Sequence, residues 1–150
     1  MPSYYAKGTT VSPEKSRAEI EGLLRRFGAT QFVSGWDGEK AILGFTACGR
    51  QIRFVLMLPK VEEFETTDGR VKASAEKRWE QACAERWRAL ALIIKAKLEA
   101  VQQGISTFED EFLAQTVLPD GGTISRWIQP QLASVYATGH MPPLLSAGPN

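Results

Sequence analysis

The sequence predicts an α+β domain: an N-terminal helix, a three-stranded antiparallel meander, a long helix packed on the sheet and two short C-terminal helices. Three observations carry this reading. Apolar residues recur with a helical period over residues 20–27 and 79–101, they alternate with a period of two between Gln31 and Leu58, and glycines, prolines and capping residues separate these regimes. A chain of 150 residues, 43% apolar and 23% charged, has the balance of one ordinary globular domain. That domain is expected over residues 1–145, with 59–73 a mobile loop within it and 140–150 a flexible tail.

The first helix is announced by Ser12-Pro13-Glu14, which supplies a cap, a proline at the first helical position and an acid at the positive end of the dipole. Ile20, Leu23, Leu24 and Phe27 follow at i, i+3, i+4 and i+7, and Gly28 stands where a left-handed residue ends a helix. Arg17, Arg25 and Arg26 lie off this stripe and are expected to face solvent or a partner.

The alternation from Gln31 to Leu58 reads as three strands joined by two-residue turns at Asp37-Gly38 and Cys48-Gly49. Those turns set Phe32 opposite Leu43, and Phe45 and Leu43 opposite Ile52 and Phe54. One face is then a consistent core of Phe32, Ala41, Leu43, Phe45, Ile52, Phe54 and Leu56. The other mixes Val33, Ile42, Val55 and Met57 with Gly35, Gly44, Lys40, Thr46 and Arg53.

Residues 59–73, acidic and aperiodic, read as the loop. Ser74 is expected to cap a long helix reaching about Gln103 and ending at Gly104. Its apolar positions Trp79, Cys83, Trp87, Leu90, Ile94, Leu98 and Val101 form one stripe, and Ala82, Ala89, Ile93, Ala96 and Ala100 a second, smaller one. Ser106 and Thr107 followed by Glu109 and Asp110 predict a capped short helix carrying Phe108, Phe112, Leu113 and Val117. Thr123 is expected to cap a last helix with Ile124, Trp127, Ile128, Leu132 and Val135, broken or kinked at Pro130 and closed by Gly139. These two helices are expected to cover the second stripe, and the four tryptophans to lie in the core.

Chemistry-bearing patterns are sparse. The single histidine, His140, has no nucleophile and acid arranged around it in sequence, and no metal-ligand spacing surrounds it or Cys48 and Cys83. No glycine-rich phosphate cradle joins a strand to a helix. The acidic runs Glu62-Glu63-x-Glu65 and Glu109-Asp110-Glu111 read as solvated loop and helix start. No catalytic residue, metal site or cofactor is assigned, so the chain reads as a non-enzyme, with a carboxylate-based metal nuclease as the competing reading. Two cysteines, and no basic segment leading a long apolar run, point to a reducing cytoplasm with neither signal peptide nor membrane span.

Lysine and arginine total 18 against 17 acids, a net charge of +1, yet residues 1–104 hold 17 basic and 13 acidic side chains while 105–150 hold one and four. Any surface facing a polyanion therefore belongs to the first two thirds. Arg25, Arg26, Lys40, Arg50 and Arg53 are the candidate phosphate contacts, with Gly35 and Gly44 allowing a strand to approach a sheet face closely.

Lys7-Gly8-Thr9-Thr10-Val11, Ser16-Arg17-Ala18-Glu19-Ile20, Phe27-Gly28-Ala29, Gly49-Arg50-Gln51-Ile52-Arg53-Phe54, Trp87-Arg88-Ala89-Leu90, Lys95-Ala96-Lys97-Leu98-Glu99-Ala100 and Phe108-Glu109-Asp110-Glu111-Phe112-Leu113 resemble a family of small uncharacterised proteins of tailed bacteriophages and prophages. The resemblance covers residues 5–145 and implies a bacterial host cytoplasm, with no catalytic residues to carry over. The order helix, meander, long helix is also similar to the core of single-strand-annealing recombinases, an analogy of topology. Together these imply a non-enzymatic accessory protein in weak contact with single-stranded nucleic acid during replication or recombination. The alternative is an inhibitor or adaptor that captures a host protein through the alanine-rich stripe of the long helix or the Leu144-Leu145 tail. The same long helix is where contact between copies is expected.

Overall fold

The computed structural model describes residues 13–65 and 72–143. Helix α1 (Pro13–Phe27) leads into the strands β1 (Gln31–Asp37), β2 (Lys40–Ala47) and β3 (Arg50–Met57). A one-turn 3₁₀ helix (Val61–Phe64) precedes the 31-residue α2 (Lys72–Gln102), and α3 (Phe108–Glu111) and α4 (Ile124–Thr138) complete the α+β arrangement. The sequence reading placed a cap at Ser74; the helix instead begins at Lys72, so Ser74 lies within its first turn. The cap expected at Ser12 lies outside the described residues.

The sheet is antiparallel in the order β1-β2-β3. The second hairpin follows the predicted register, with Phe45 opposite Ile52 and Leu43 opposite Phe54. Its turn places Cys48 at φ 51° and Gly49 at φ 72°, the double positive φ of a type I′ turn, whose twist matches that of paired strands. The first hairpin differs from expectation. Asp37 pairs with Lys40, so the turn is Gly38-Glu39, and Phe32 lies opposite Phe45 rather than Leu43. With Gly38 first, at φ 63°, the turn needs only one positive φ and glycine supplies it; a turn on Asp37-Gly38 would force aspartate there as well. Moving a turn by one residue moves partners by two, so every side chain keeps its expected face.

The inner face of Ala41, Leu43, Phe45, Ala47, Ile52 and Phe54 is buried beneath Ile20 and Leu24 of α1 and Trp87, Leu90, Ala91, Ile94 and Leu98 of α2. This is the predicted stripe of the long helix. Phe112 plugs the corner where these layers meet. It is fully buried, edge-on to Phe45 at 5.6 Å and Phe54 at 6.3 Å between centroids, and beside Phe108 at 4.7 Å. The Lys97 ammonium sits 5.7 Å from the Phe112 ring centre while donating to the Glu111 carbonyl at 2.7 Å, which ties α2 to the plug.

The C-terminal third departs most from the sequence reading. Thr107 caps α3 as predicted, its hydroxyl accepting from the Asp110 amide at 3.1 Å, but the helix is one turn long. The chain then bends, and Gln115 to Val117 pair along the free edge of β3, with Arg53 N–H donating to Gln115 and Val117 N–H to Gln51. Val117 is therefore extended, not helical. Thr123 caps α4 and Gly139 ends it at φ 73°, both as predicted, yet the helix continues through Pro130 without a break. None of its residues is buried, and Leu92 and Ile93 stay exposed on α2, so α4 does not cover the second stripe. Pinning residues 115–123 at β3 starts α4 away from that side of α2. Among the tryptophans, Trp87 is buried and Trp79 half-buried, whereas Trp36 is 78% and Trp127 40% exposed, contrary to expectation.

Phe112→Ala should remove about 3–5 kcal/mol of unfolding free energy in urea denaturation, a large share of a typical domain's stability. The Ser16 hydroxyl is buried with no hydrogen-bond partner among the described residues. Ser16→Ala should therefore be neutral or stabilising by up to about 1 kcal/mol in the same assay, and a loss of stability would show that the hydroxyl is satisfied.

Candidate interaction surface

The five candidate cations fall into two groups. Arg25 and Arg26 occupy the last turn of α1, whose stripe of Ile20 and Leu24 turns inward and leaves both arginines outside. Arg25 donates to Glu21 one turn earlier at 2.8 Å. The chain then enters β1 beside the end of β2, Thr30 N–H donating to the Thr46 carbonyl. Arg50 belongs to this same end, opposite Ala47, and so projects from the helix-covered side of the sheet at its rim. Lys40 and Arg53 project from the opposite side. Seven residue steps of β2 separate Lys40 from Ala47, about 23 Å.

Arg53 is already engaged. Its Nη2 donates to the Gly121 carbonyl at 2.7 Å, clamping the loop that leads into α4. That loop is further closed by Leu118 N–H to Gly122 at 2.7 Å and Gly122 N–H to the Asp120 carboxylate at 2.9 Å. The opposite side of the sheet presents Gln31, Val33, Gly35, Ile42, Gly44, Thr46, Gln51, Arg53, Val55 and Met57 by register, with no aromatic ring among its strand residues on which a base could stack, and Gly35, Ile42, Gly44, Thr46 and Arg53 are half-buried there. An added Cβ at Gly35 would meet nothing within 4 Å, and one at Gly44 would touch only the Ile52 carbonyl at 3.4 Å.

No group of three or more His, Cys, Asp or Glu among the described residues is arranged to hold a metal. Glu63 is folded back onto the Lys60 amide at 2.5 Å, and Glu111 lies 3.9 Å from the Lys97 ammonium. His140 is exposed just beyond α4.

The feature that sequence reasoning missed is a groove of about 600 Å³ between α2 and the segment that follows β3. Leu56, Pro59, Phe64, Ala89, Leu90 and Ile93 supply its apolar lining, and Glu63, Glu85 and Arg86 line it as well. Three hydrogen bonds from α2 hold its far wall: Trp79 Nε1 to the Pro59 carbonyl at 2.6 Å, Arg78 to the Phe64 carbonyl at 2.8 Å and Arg86 to the Met57 carbonyl at 2.9 Å. Its signal was present as the second stripe of the long helix, which the sequence reading assigned to cover within the chain. On α4 the residues Ile124, Trp127, Ile128, Gln131 and Val135 share one helical face. Among the described residues, no helix is long and apolar enough to cross a membrane, so these faces are not spans.

The two thiols differ sharply. Cys48 is exposed in its turn, whereas burial pushes the Cys83 thiol up to about 11, with Arg86 opposing and Glu80 reinforcing the shift. Iodoacetamide at pH 8 should label Cys48 alone, Cys83 reacting only in denaturant, as peptide mass analysis would show. As pH rises above 9, Cys83 loses its proton more readily in the unfolded chain than in the folded one. Its contribution to stability, complete below pH 9, should therefore decline between pH 9 and 11 in denaturation curves.

No protein-family model matches this chain, and neither a curated protein nor a solved structure matches it.

Proposed function

We propose that this chain is a non-catalytic protein-binding module that takes a helical segment of another protein. The observation that carries the reading is the largely apolar groove beside α2, where Ile93 is 47% exposed. Contiguous apolar patches are uncommon on proteins that work alone, and a groove lined by aliphatic side chains is the standard receptor for the apolar face of a helix. From Ala82 to Ile93 the groove follows α2 for about 16 Å, room for three turns of a docked helix. Ala82 and Ala89 lie along it, small enough to let the two helices approach closely. The sequence resemblance supports a phage or prophage accessory role in a bacterial cytoplasm, where an inhibitor or adaptor would meet host factors.

A nucleic-acid reading has one observation in its favour, the meeting of Arg25, Arg26 and Arg50 at one end of the sheet. Contact there would be electrostatic and indifferent to sequence.

Two measurements separate these readings. Tagged wild-type protein in nuclease-treated bacterial lysate should retain a stoichiometric protein partner, and Ile93→Glu should reduce that retention about tenfold or more, since burying an unpaired carboxylate in an apolar groove is costly. Equal retention by the variant would overturn the groove as the site. In fluorescence anisotropy with a labelled single strand, Arg26→Ala/Arg50→Ala should lower the salt slope by about two if both contact phosphates. Absence of wild-type binding at about 50 µM and low salt would retire the nucleic-acid reading, because even non-specific binders associate in that range.

A further inference from the structure

We infer that the free edge of β1 is a second docking surface, one that takes an extended, uncharged segment of another protein as an antiparallel fourth strand. It lies across the sheet from the groove, whose wall includes Leu56 of β3, and it does not depend on the reading of that groove.

The strand pairing fixes which backbone groups are free. Asp37 and Lys40 close a two-residue turn, so Gln31, Val33, Gly35 and Asp37 exchange both hydrogen bonds with Thr46, Gly44, Ile42 and Lys40. The N–H and C=O groups of Phe32, Ser34 and Trp36 therefore point away from β2, about 6.8 Å apart. β1 is the outermost strand on this side, and no hydrogen bond among the described residues reaches those groups. The opposite edge is closed, since Arg53 N–H donates to Gln115 and Val117 N–H to Gln51. β1 also lacks the devices that keep an edge from pairing. It has no lysine, arginine or proline, its pairing with β2 runs without a bulge, and Asp37 at its end is its only charge. Val33 is 67% and Trp36 78% exposed along it.

Helix α1 narrows the occupant. It runs antiparallel to β1, its first turns sharing a cavity with Ser34 and Trp36 and its last turns one with Gln31 and Phe32. The cavity at Trp36, about 120 Å³, is walled by Pro13, Leu58 and Trp87 together with Glu14 and Arg17. The cavity at Phe32, about 210 Å³, lies against Leu24 and Ala29, with Thr30 and the paired Glu21 and Arg25 completing it. Residues of an added strand opposite Phe32, Ser34 and Trp36 project to the same face as these, toward α1. Two apolar side chains four residues apart on that strand thus reach the two cavities. The two acids and two arginines that α1 contributes cancel, so nothing at this edge selects a charged segment. A second copy fits poorly. Paired strands lie about 4.8 Å apart but packed helices about 8–10 Å, so joining two copies at β1 would crowd the α1 that each carries along that strand. A bare extended segment brings no helix, and its backbone supplies the partners that the free N–H and C=O groups need.

The test uses the full chain, isotope-labelled for amide NMR, and an acetylated, amidated heptapeptide with leucine at its second, fourth and sixth positions and threonine at the others. In the free protein the amides of Phe32, Ser34 and Trp36 should exchange quickly with solvent and those of Val33 and Gly35 slowly. The peptide should shift the Phe32, Ser34 and Trp36 signals saturably and slow their exchange. N-methylating its central leucine removes a donor and sets a methyl group between the strands, which should weaken binding about tenfold or more. N-methylating the adjacent threonine, whose N–H faces away from β1, should change binding less than about twofold. Ser34→Pro removes an outward donor alone, a change that edge strands tolerate, so it should keep the wild-type circular dichroism and bind the peptide about tenfold more weakly. Slow exchange at Phe32, Ser34 and Trp36 in the free monomer would mean that the chain covers its own edge and would overturn the proposal. So would the lack of a saturable shift at about 1 mM peptide, or equal weakening by the two methylated peptides. A wild-type dimer that Ser34→Pro dissociates would give the edge to a second copy and overturn it as well.

Discussion

One ring organises this molecule. Phe112 stands at the corner where β2, β3, α3 and the C-terminal half of α2 converge, and its complete burial is what turns two layers into one core. A three-stranded sheet has one inner face and needs a continuous cover; α1 and α2 supply most of it, and Phe112 closes the remaining corner. Everything after it follows from the exit it imposes. Thr116 Oγ1 donates back to the Phe112 carbonyl at 2.9 Å, which bends the chain toward β3 and lays Gln115 to Val117 along that strand's edge. The loop clamped by Arg53 comes next, and α4 begins where the loop allows.

The same exit explains why two apolar surfaces of one chain fail to meet. The groove lies on the α2 side of the sheet, whereas α4 is launched from the edge of β3, and the clamped loop leaves little slack between them. Arg53 is placed differently from a free phosphate contact: its guanidinium holds a backbone carbonyl and thereby sets where α4 starts. A cation that looks like ligand machinery in the sequence can thus serve architecture in the fold, and the two roles compete for the same N–H groups.

Much of the fold was legible because local signals agreed with one another. The Cys48-Gly49 turn, the alternation on both flanking strands and the stripe from Trp79 to Val101 all specify the same layers, and each reappears in the structure. The first turn was misplaced by one residue because Asp-Gly and Gly-Glu both offer glycine, and only the backbone conformation chooses between them. Val117 was read as helical because its spacing from Phe108 and Leu113 suits a helix, while its actual partner, Gln51, is far away in sequence. The site was less legible for a related reason. Trp36 and Trp127 were assigned to the core by residue type, yet exposure depends on which elements come to rest against them, and that is a long-range property. The groove needs the segment after β3 as its second wall, and no period in α2 announces that wall.

Pro130 gives α4 a thermodynamic character unlike that of α2. Amide protons of α2 beneath the core exchange with solvent only when the domain opens globally, since their helix is held by Trp87, Leu90, Ile94 and Leu98. Those of α4 lie in a helix with no buried side chain and a missing donor at its middle, so they should exchange through local fraying long before the rest. The chain thus has two tiers of order, a core that opens only with the whole domain and a helix that frays locally.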